Sequence, residues 1–196
     1  MAGARAGYSR SSRLLAIPEF NVALFAFLLN YPWEFLQVPY FVAMPEMAHW
    51  DAVIFCTRAT MGDVLIALVA FWVVAMFRRQ RSWLLRPDAR AIFAFIATGI
   101  VITVGLEWHA TELQQRWQYA ERMPTLPLVG TGLTPLLQWL VLPPIIVWLA
   151  RRQMLGERYL MHLAVDPDNP QRLVAADDRN QLLISENGGR DWSRLE

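Results

Sequence analysis

Lysine is missing from this chain: all 18 basic residues among its 196 are arginine. That bias reads as the codon usage of a GC-rich genome. The arginines fall at the ends of apolar segments rather than on one patch, so nucleic acid is excluded as a partner. Cysteine occurs once, at Cys56, which rules out an internal disulfide and any multi-cysteine metal site. A lone apolar cysteine reads as a small hydrophobe. Serine is confined to positions 9, 11, 12, 82, 185 and 193, far from the apolar segments' polar positions, and a serine hydrolase triad is excluded with it. No paired-aspartate motif for a prenyl diphosphate and its magnesium occurs. The run Gly130-Thr131-Gly132 does not follow a strand and is not a phosphate loop. Charge is scarce too, at 18% of residues.

What fills the chain instead is hydrocarbon and indole. Hydrophobic residues make up 55%, with nine Trp and ten Phe, a balance that departs from soluble domains toward membrane segments. Apolar stretches fall near 17–41, 58–77, 91–108 and 127–150. Each approaches the roughly 20 helical residues that cross a bilayer core. Arg5, Arg10 and Arg13 precede the first stretch as they would in a signal peptide, but the apolar region is too long and is followed by more. An uncleaved first helix is expected. Arg78, Arg79, Arg81, Arg86 and Arg90 crowd the second connection, and Arg151, Arg152 and Arg158 follow the fourth stretch. Loops 42–57 and 109–126 hold only Arg116 and Arg122, with Arg58 at their edge. By the positive-inside rule both termini are cytoplasmic and those two loops face outward, as in a multi-pass protein of a bacterial inner membrane. Pro32 interrupts the first stretch, and Pro135 with Pro143-Pro144 the fourth, freeing carbonyls that neighbours or a wet cavity must satisfy.

Three carboxylates stand inside these stretches. Counting at about 1.5 Å per residue from Glu19, Arg78, Arg90 and Arg151 respectively, Glu34, Asp63, Glu107 and the amide of Gln138 all lie about 20–25 Å in. Polar neighbours three or four residues away share their faces: Asn30 with Glu34, Thr60 with Asp63, Thr103 with Glu107, Thr134 with Gln138. Gln37 and Thr131 extend two of these pairs, and Arg58, His109 and Arg116 can reach the layer from the rim. Trp33, Trp108, Trp117, Tyr119 and Trp139 are expected around it. Three like charges at one depth cannot all ionise, so at least one acid carries a proton or pairs with Arg58 or Arg116. Ionisable groups at such cost mark a site. Glu34, Asp63 and Glu107 are the candidate catalytic residues. Asn30, Gln37, Arg58, Thr103, His109, Arg116, Trp117, Tyr119, Thr134 and Gln138 are the candidate binding residues.

A neutral acid beside an ionised one, with Trp faces to stabilise a carbocation, suits isomerisation, cyclisation or hydration of an isoprenoid-like lipophile. The run from Glu107 through Arg116-Trp117 and Tyr119 to Pro135 and Trp139 loosely resembles membrane carotenoid-modifying proteins in its spacing, without naming a family. His49 and His109 read as hydrogen-bonding groups, so no metal is expected, and the sequence names no cofactor. Two other readings stand beside the pocket. In one the chain is a non-catalytic subunit or assembly factor of a larger membrane complex, its polar layer serving only to fix packing. In the other it is a permease, for which four helices would have to oligomerise.

After Arg158 the composition turns polar, with turn residues between short strands. Ser185-Glu186-Asn187-Gly188-Gly189-Arg190-Asp191-Trp192 resembles the Asp-box, or BNR repeat, of sialidase-like propellers, with Asn187 in the Asp place. The resemblance covers about 30 residues and implies a turn that pins a hairpin, with no enzymatic role. One repeat cannot close a propeller. The expected fold is all-α: a four-helix transmembrane bundle over residues 1–158 and a hairpin-like tail over 159–196.

Overall fold

The computed structural model describes residues 14–127, 130–156, 160–177 and 181–195. The chain divides into two compact units, Met1–Gln153 and Met154–Glu196.

The first unit is helical. Helix α1 runs Pro18–Gln37, α2 His49–Arg78, α3 Ala89–Trp108 and α4 Leu133–Gly156. Proline opens α1 where its missing N–H costs nothing, and Pro39 stops it in a short 3-10 turn, Val38–Tyr40. Helix α2 starts nine residues before the expected 58. Nothing between His49 and Thr57 breaks a helix, so the polar His49 and Asp51 form an amphiphilic first turn rather than a loop. At about 1.5 Å per residue its 30 residues span about 45 Å, more than a bilayer core. It ends on Arg79 in the left-handed region (φ 49°). The Asp88 carboxylate caps α3 by accepting from the Ala91 N–H at 2.8 Å, and it pairs with Arg78 at 2.9 Å. The Ala91 amide, then Arg78, holds this acid below the usual carboxylate range. Helix α4 begins six residues later than expected, because Gly130 (φ 66°) and a bridge between Thr125 and Gly132 turn the chain first. Pro135 therefore lies in the first turn of α4 and does not interrupt it, which corrects the sequence reading. Pro143 and Pro144 are inside the helix.

Among the described residues, three helical stretches are long and apolar enough to cross a membrane: His49–Arg78, Ala89–Leu113 and Leu133–Leu155. Helix α1 has the length, 20 residues, but Asn21, Asn30, Glu34 and Gln37 leave it more polar than the others. Those residues are turned inward: Asn21 is fully buried, Asn30 is 3% exposed and Gln37 4%. Outward stand Leu28, Leu36 and Phe35. The same inversion runs through the unit, where Thr60, Thr103 and Gln138 are buried while Leu65, Met76, Phe77, Phe93 and Val101 are exposed.

One end of the unit is plugged. The connection Arg81–Leu85 folds back, and Trp83 is buried against the rings of Phe71 and Phe95, its indole N–H donating to the Phe71 carbonyl. Arg81 makes a two-pronged ion pair with Glu19 at 2.6 and 2.8 Å. Midway along, Trp139 lies directly on Gly99, where a Cβ would come within 1.9 Å of the indole. Only glycine lets α3 and α4 meet there. At the other end, the two loops that link the helices are stitched together: Phe41 bridges Tyr119, the Val42 N–H donates to Gln118 and the Ala120 N–H to Tyr40.

The second unit exceeds the expected hairpin. Strands β1 Leu160–Val165, β2 Leu173–Asp177, β3 Leu182–Ser185 and β4 Ser193–Arg194 form one antiparallel sheet in sequence order. The turn between β3 and β4 is pinned by side chains. Ser185 Oγ accepts from the Gly189 N–H (2.9 Å), and Asn187 Oδ1 accepts from the Asp191 N–H (2.9 Å) and the Ser185 hydroxyl (3.1 Å). Gly188 and Gly189, at φ 70° and 86°, make the turn possible.

Candidate functional site

Helices α1, α2, α3 and α4 each deliver one polar side chain to the wall of a single cavity of about 380 Å³: Glu34, Asp63, Glu107 and Gln138. The spacing of Asn30, Glu34 and Gln37 is that of one helix face, so α1 presents all three inward. Gln138 is the hub. Its amide nitrogen donates to Asn30 Oδ1 (2.7 Å), Asp63 Oδ2 (2.9 Å) and, more distantly, Glu34 Oε1 (3.3 Å). An amide has two hydrogens, so the longest of these three contacts is a shared one. The Gln37 amide donates to Glu34 Oε1 and to Gln138 Oε1, both at 3.1 Å, and the Thr134 hydroxyl donates to Gln37 Oε1 at 3.1 Å.

Glu34 Oε1 and Asp63 Oδ2 face the same Gln138 amide nitrogen, at 3.3 and 2.9 Å. Two carboxyls drawn to one donor repel each other when both are ionised, so a proton on one of them relieves the pair. Across the cavity Glu107 has different company. Tyr119 donates its hydroxyl to Glu107 Oε2 in a short contact, and the Trp117 indole N–H points at the same oxygen from 3.4 Å. Two donors on one oxygen suit an ionised carboxylate. Burial and the adjacent Glu107 hold the Tyr119 phenol well above its ordinary range.

The three acids therefore share one site but not one environment. Among the described residues, neither Arg58 nor Arg116 pairs with an acid. Of the two alternatives expected, a proton on at least one acid or an arginine partner, the arginine partner is not found; the contacts made are those of Gln138 with Glu34 and Asp63 and of Tyr119 and Trp117 with Glu107. Arg58, His109 and Arg116 line the cavity where it is exposed, with the Arg116 guanidinium 5.5 Å from the Trp117 ring centre. Thr103 also lines the cavity; its hydroxyl is buried and has no partner. Asn30, Tyr119 and Thr134 stand one layer back, holding the residues that line it. Thr60 does not join the layer, because its hydroxyl bonds back to the Cys56 carbonyl at 2.8 Å. Thr131 is buried ahead of α4 with its hydroxyl unpartnered. The ring of indoles is also smaller than expected: Trp108 is 49% exposed and Trp139 is spent on Gly99.

Sequence reasoning missed the apolar half of the wall. Phe41, Met44, Phe55, Ile66, Leu106 and Pro135 supply it. Phe41 and Met44 come from a loop whose course depends on its pairing with residues 118–120, which no local pattern announces. Gly62 also lines the cavity, and a side chain added there would meet nothing within 4 Å. Among the described residues no cluster of His, Cys, Asp and Glu is arranged to hold a metal ion. Compared with known protein families, curated proteins and solved structures, the chain matches none.

Proposed function

We propose that the chain is a four-span membrane protein that binds a lipophilic molecule, isoprenoid-like in character, in the cavity between its helices and subjects it to acid catalysis. One observation carries the reading: three carboxyls from three helices, with an amide from the fourth, line one cavity together with the apolar side chains of Phe41, Met44, Phe55 and Ile66. The inverted burial of α1 supports the fourth span. A helix with Asn30 and Gln37 inside and Leu28 and Leu36 outside has hydrocarbon as its surroundings. The arginine distribution supports an orientation with both termini in the cytoplasm and the stitched loops, with the exposed side of the cavity, at the outer face.

The division of labour follows from the contacts. A proton carried by the Glu34–Asp63 pair passes to a carbon of a double bond, leaving both as carboxylates and a positive charge on the neighbouring carbon. The Trp117 face and the carboxylate of Glu107 stabilise that charge. Loss of a different proton to Glu107 gives the isomer. Water at the exposed side then takes the proton from Glu107 and returns one to the Glu34–Asp63 pair, which restores the starting state without an oxidant.

The competing reading, a non-catalytic subunit whose polar layer fixes packing, draws on the Gln138 network, since interhelical hydrogen bonds of about 0.6 kcal/mol each hold bundles together. Glu107→Gln, Asp63→Asn and Gly62→Leu separate the two. Under the pocket reading all three variants keep the thermal stability of the parent in detergent. Gly62→Leu, which fills open space, loses the lipophile that mass spectrometry finds co-purifying with the wild type. A wild type that carries no lipophile, together with carboxyl variants that lose stability, establishes the packing reading instead.

A further inference from the structure

We infer that the molecule the cavity takes is an amphiphile with an anionic head, held at the exposed rim by Arg58 and Arg116 while its apolar tail lies against the inner wall. The inference rests on the pocket reading above and adds the chemistry of the head.

Four observations converge on it. The charges of the cavity are sorted rather than mixed. The acids Glu34, Asp63 and Glu107 are turned into the interior, while Arg58, His109 and Arg116 line the exposed side of the same space. The acids do not consume the arginines, since no ion pair joins Arg58 or Arg116 to any acid among the described residues. Two guanidiniums left without a counter-charge beside one cavity offer planar, charged donors suited to phosphate or carboxylate oxygens. The Gln114 side chain on the same lining adds an amide that can donate. Deeper in, the Thr103 hydroxyl is more than nine-tenths buried, lines the cavity and has no partner, so the interior also offers one polar contact to an occupant.

The inner wall fixes the rest of the molecule. Phe41, Met44, Phe55, Ile66 and Leu106 make an apolar surface unsuited to a free inorganic ion, and about 380 Å³ is room for part of a chain, not for an ion alone. A head at the rim and a tail within also fits the proposed chemistry, because it brings carbon atoms of the tail to the acids.

The test uses full-length protein in a non-ionic detergent and three probes: hexadecyl phosphate, hexadecanol and inorganic phosphate. Hexadecyl phosphate is expected to bind at least tenfold more tightly than hexadecanol. That preference should fall to less than threefold in Arg58→Gln/Arg116→Gln, through weaker binding of hexadecyl phosphate rather than tighter binding of hexadecanol. Equal binding of hexadecyl phosphate and hexadecanol to the wild type overturns the anionic head while leaving a lipophilic pocket in place. Inorganic phosphate bound as tightly as hexadecyl phosphate overturns the amphiphile and assigns a free-anion site. Failure of all three probes counts against the pocket itself. Because both arginines are exposed, the double variant is expected to fold; Arg58→Lys/Arg116→Lys, which keeps the charge, should retain part of the preference and thereby separates charge from lost structure.

Discussion

At the scale of single residues, the instructive contrast is between carboxyls of similar depth. Glu34 and Asp63 share the Gln138 amide as a donor, whereas Glu107 collects two donors from the loop beyond α3. The sequence carried the convergence of all three acids on one cavity, because helical rise converts position into distance. It did not carry their partners, because Tyr119 and Trp117 reach Glu107 through a loop whose path is set by tertiary pairing. Tyr119 lends itself to measurement. Its phenol sits above the ordinary tyrosine range because of burial first and Glu107 second. A raised value means that the stabilisation from the retained proton is complete below the unfolded value near 10 and is lost only as pH climbs through the folded one. Ultraviolet titration of the folded wild type and of Tyr119→Phe should therefore superimpose up to about pH 11. A wild-type curve larger by one tyrosine's amplitude before that point would show that the phenol ionises normally.

At the scale of elements, periodicity and proline placement were legible, and the boundaries less so. Helix α2 extends nine residues beyond its apolar core because nothing polar there breaks a helix, and α4 starts late because Gly130 turns the chain. Thr60 was expected in the polar layer by spacing alone, yet it bonds to the carbonyl one turn back, a choice that a hydroxyl in a helix always has. The contact of α3 with α4 at Gly99 gives a sharper expectation. Gly99→Ala forces a methyl into the Trp139 ring and should lower stability by about 1–3 kcal/mol. Gly105→Ala on the same helix meets nothing within 4 Å and should be neutral or mildly stabilising. Thermal unfolding of the two variants in detergent checks the pair, and equal melting temperatures would mean that the indole has room to move.

At the scale of the whole molecule, composition was enough to expect several apolar helices, and among the described residues three are present by length and apolarity. The first stretch was expected as a fourth span; its helix has the length but, with Asn21, Asn30, Glu34 and Gln37, is not among those three. The tail read as a hairpin because only its last turn carries a strong motif; β1 and β2 are short and unmarked. Since Met154–Glu196 forms a compact unit of its own, a chain ending near residue 158 should still insert and bind as the full chain does. Aggregation of that truncation alone would show that the sheet is needed for folding. Topology is checked by reporters fused after Glu196: a cytoplasm-only reporter should be active, and activity from an outer-face reporter would reverse the proposed orientation.

The Trp83 plug has a kinetic meaning. If the cavity takes a molecule as proposed, the buried Trp83, packed on Phe71 and Phe95, turns it away from the Arg81–Leu85 connection and leaves the Arg58–Arg116 side as its passage. Such a chamber would exchange rather than conduct: an incoming molecule would wait for the outgoing one, and product would compete with substrate for the same passage.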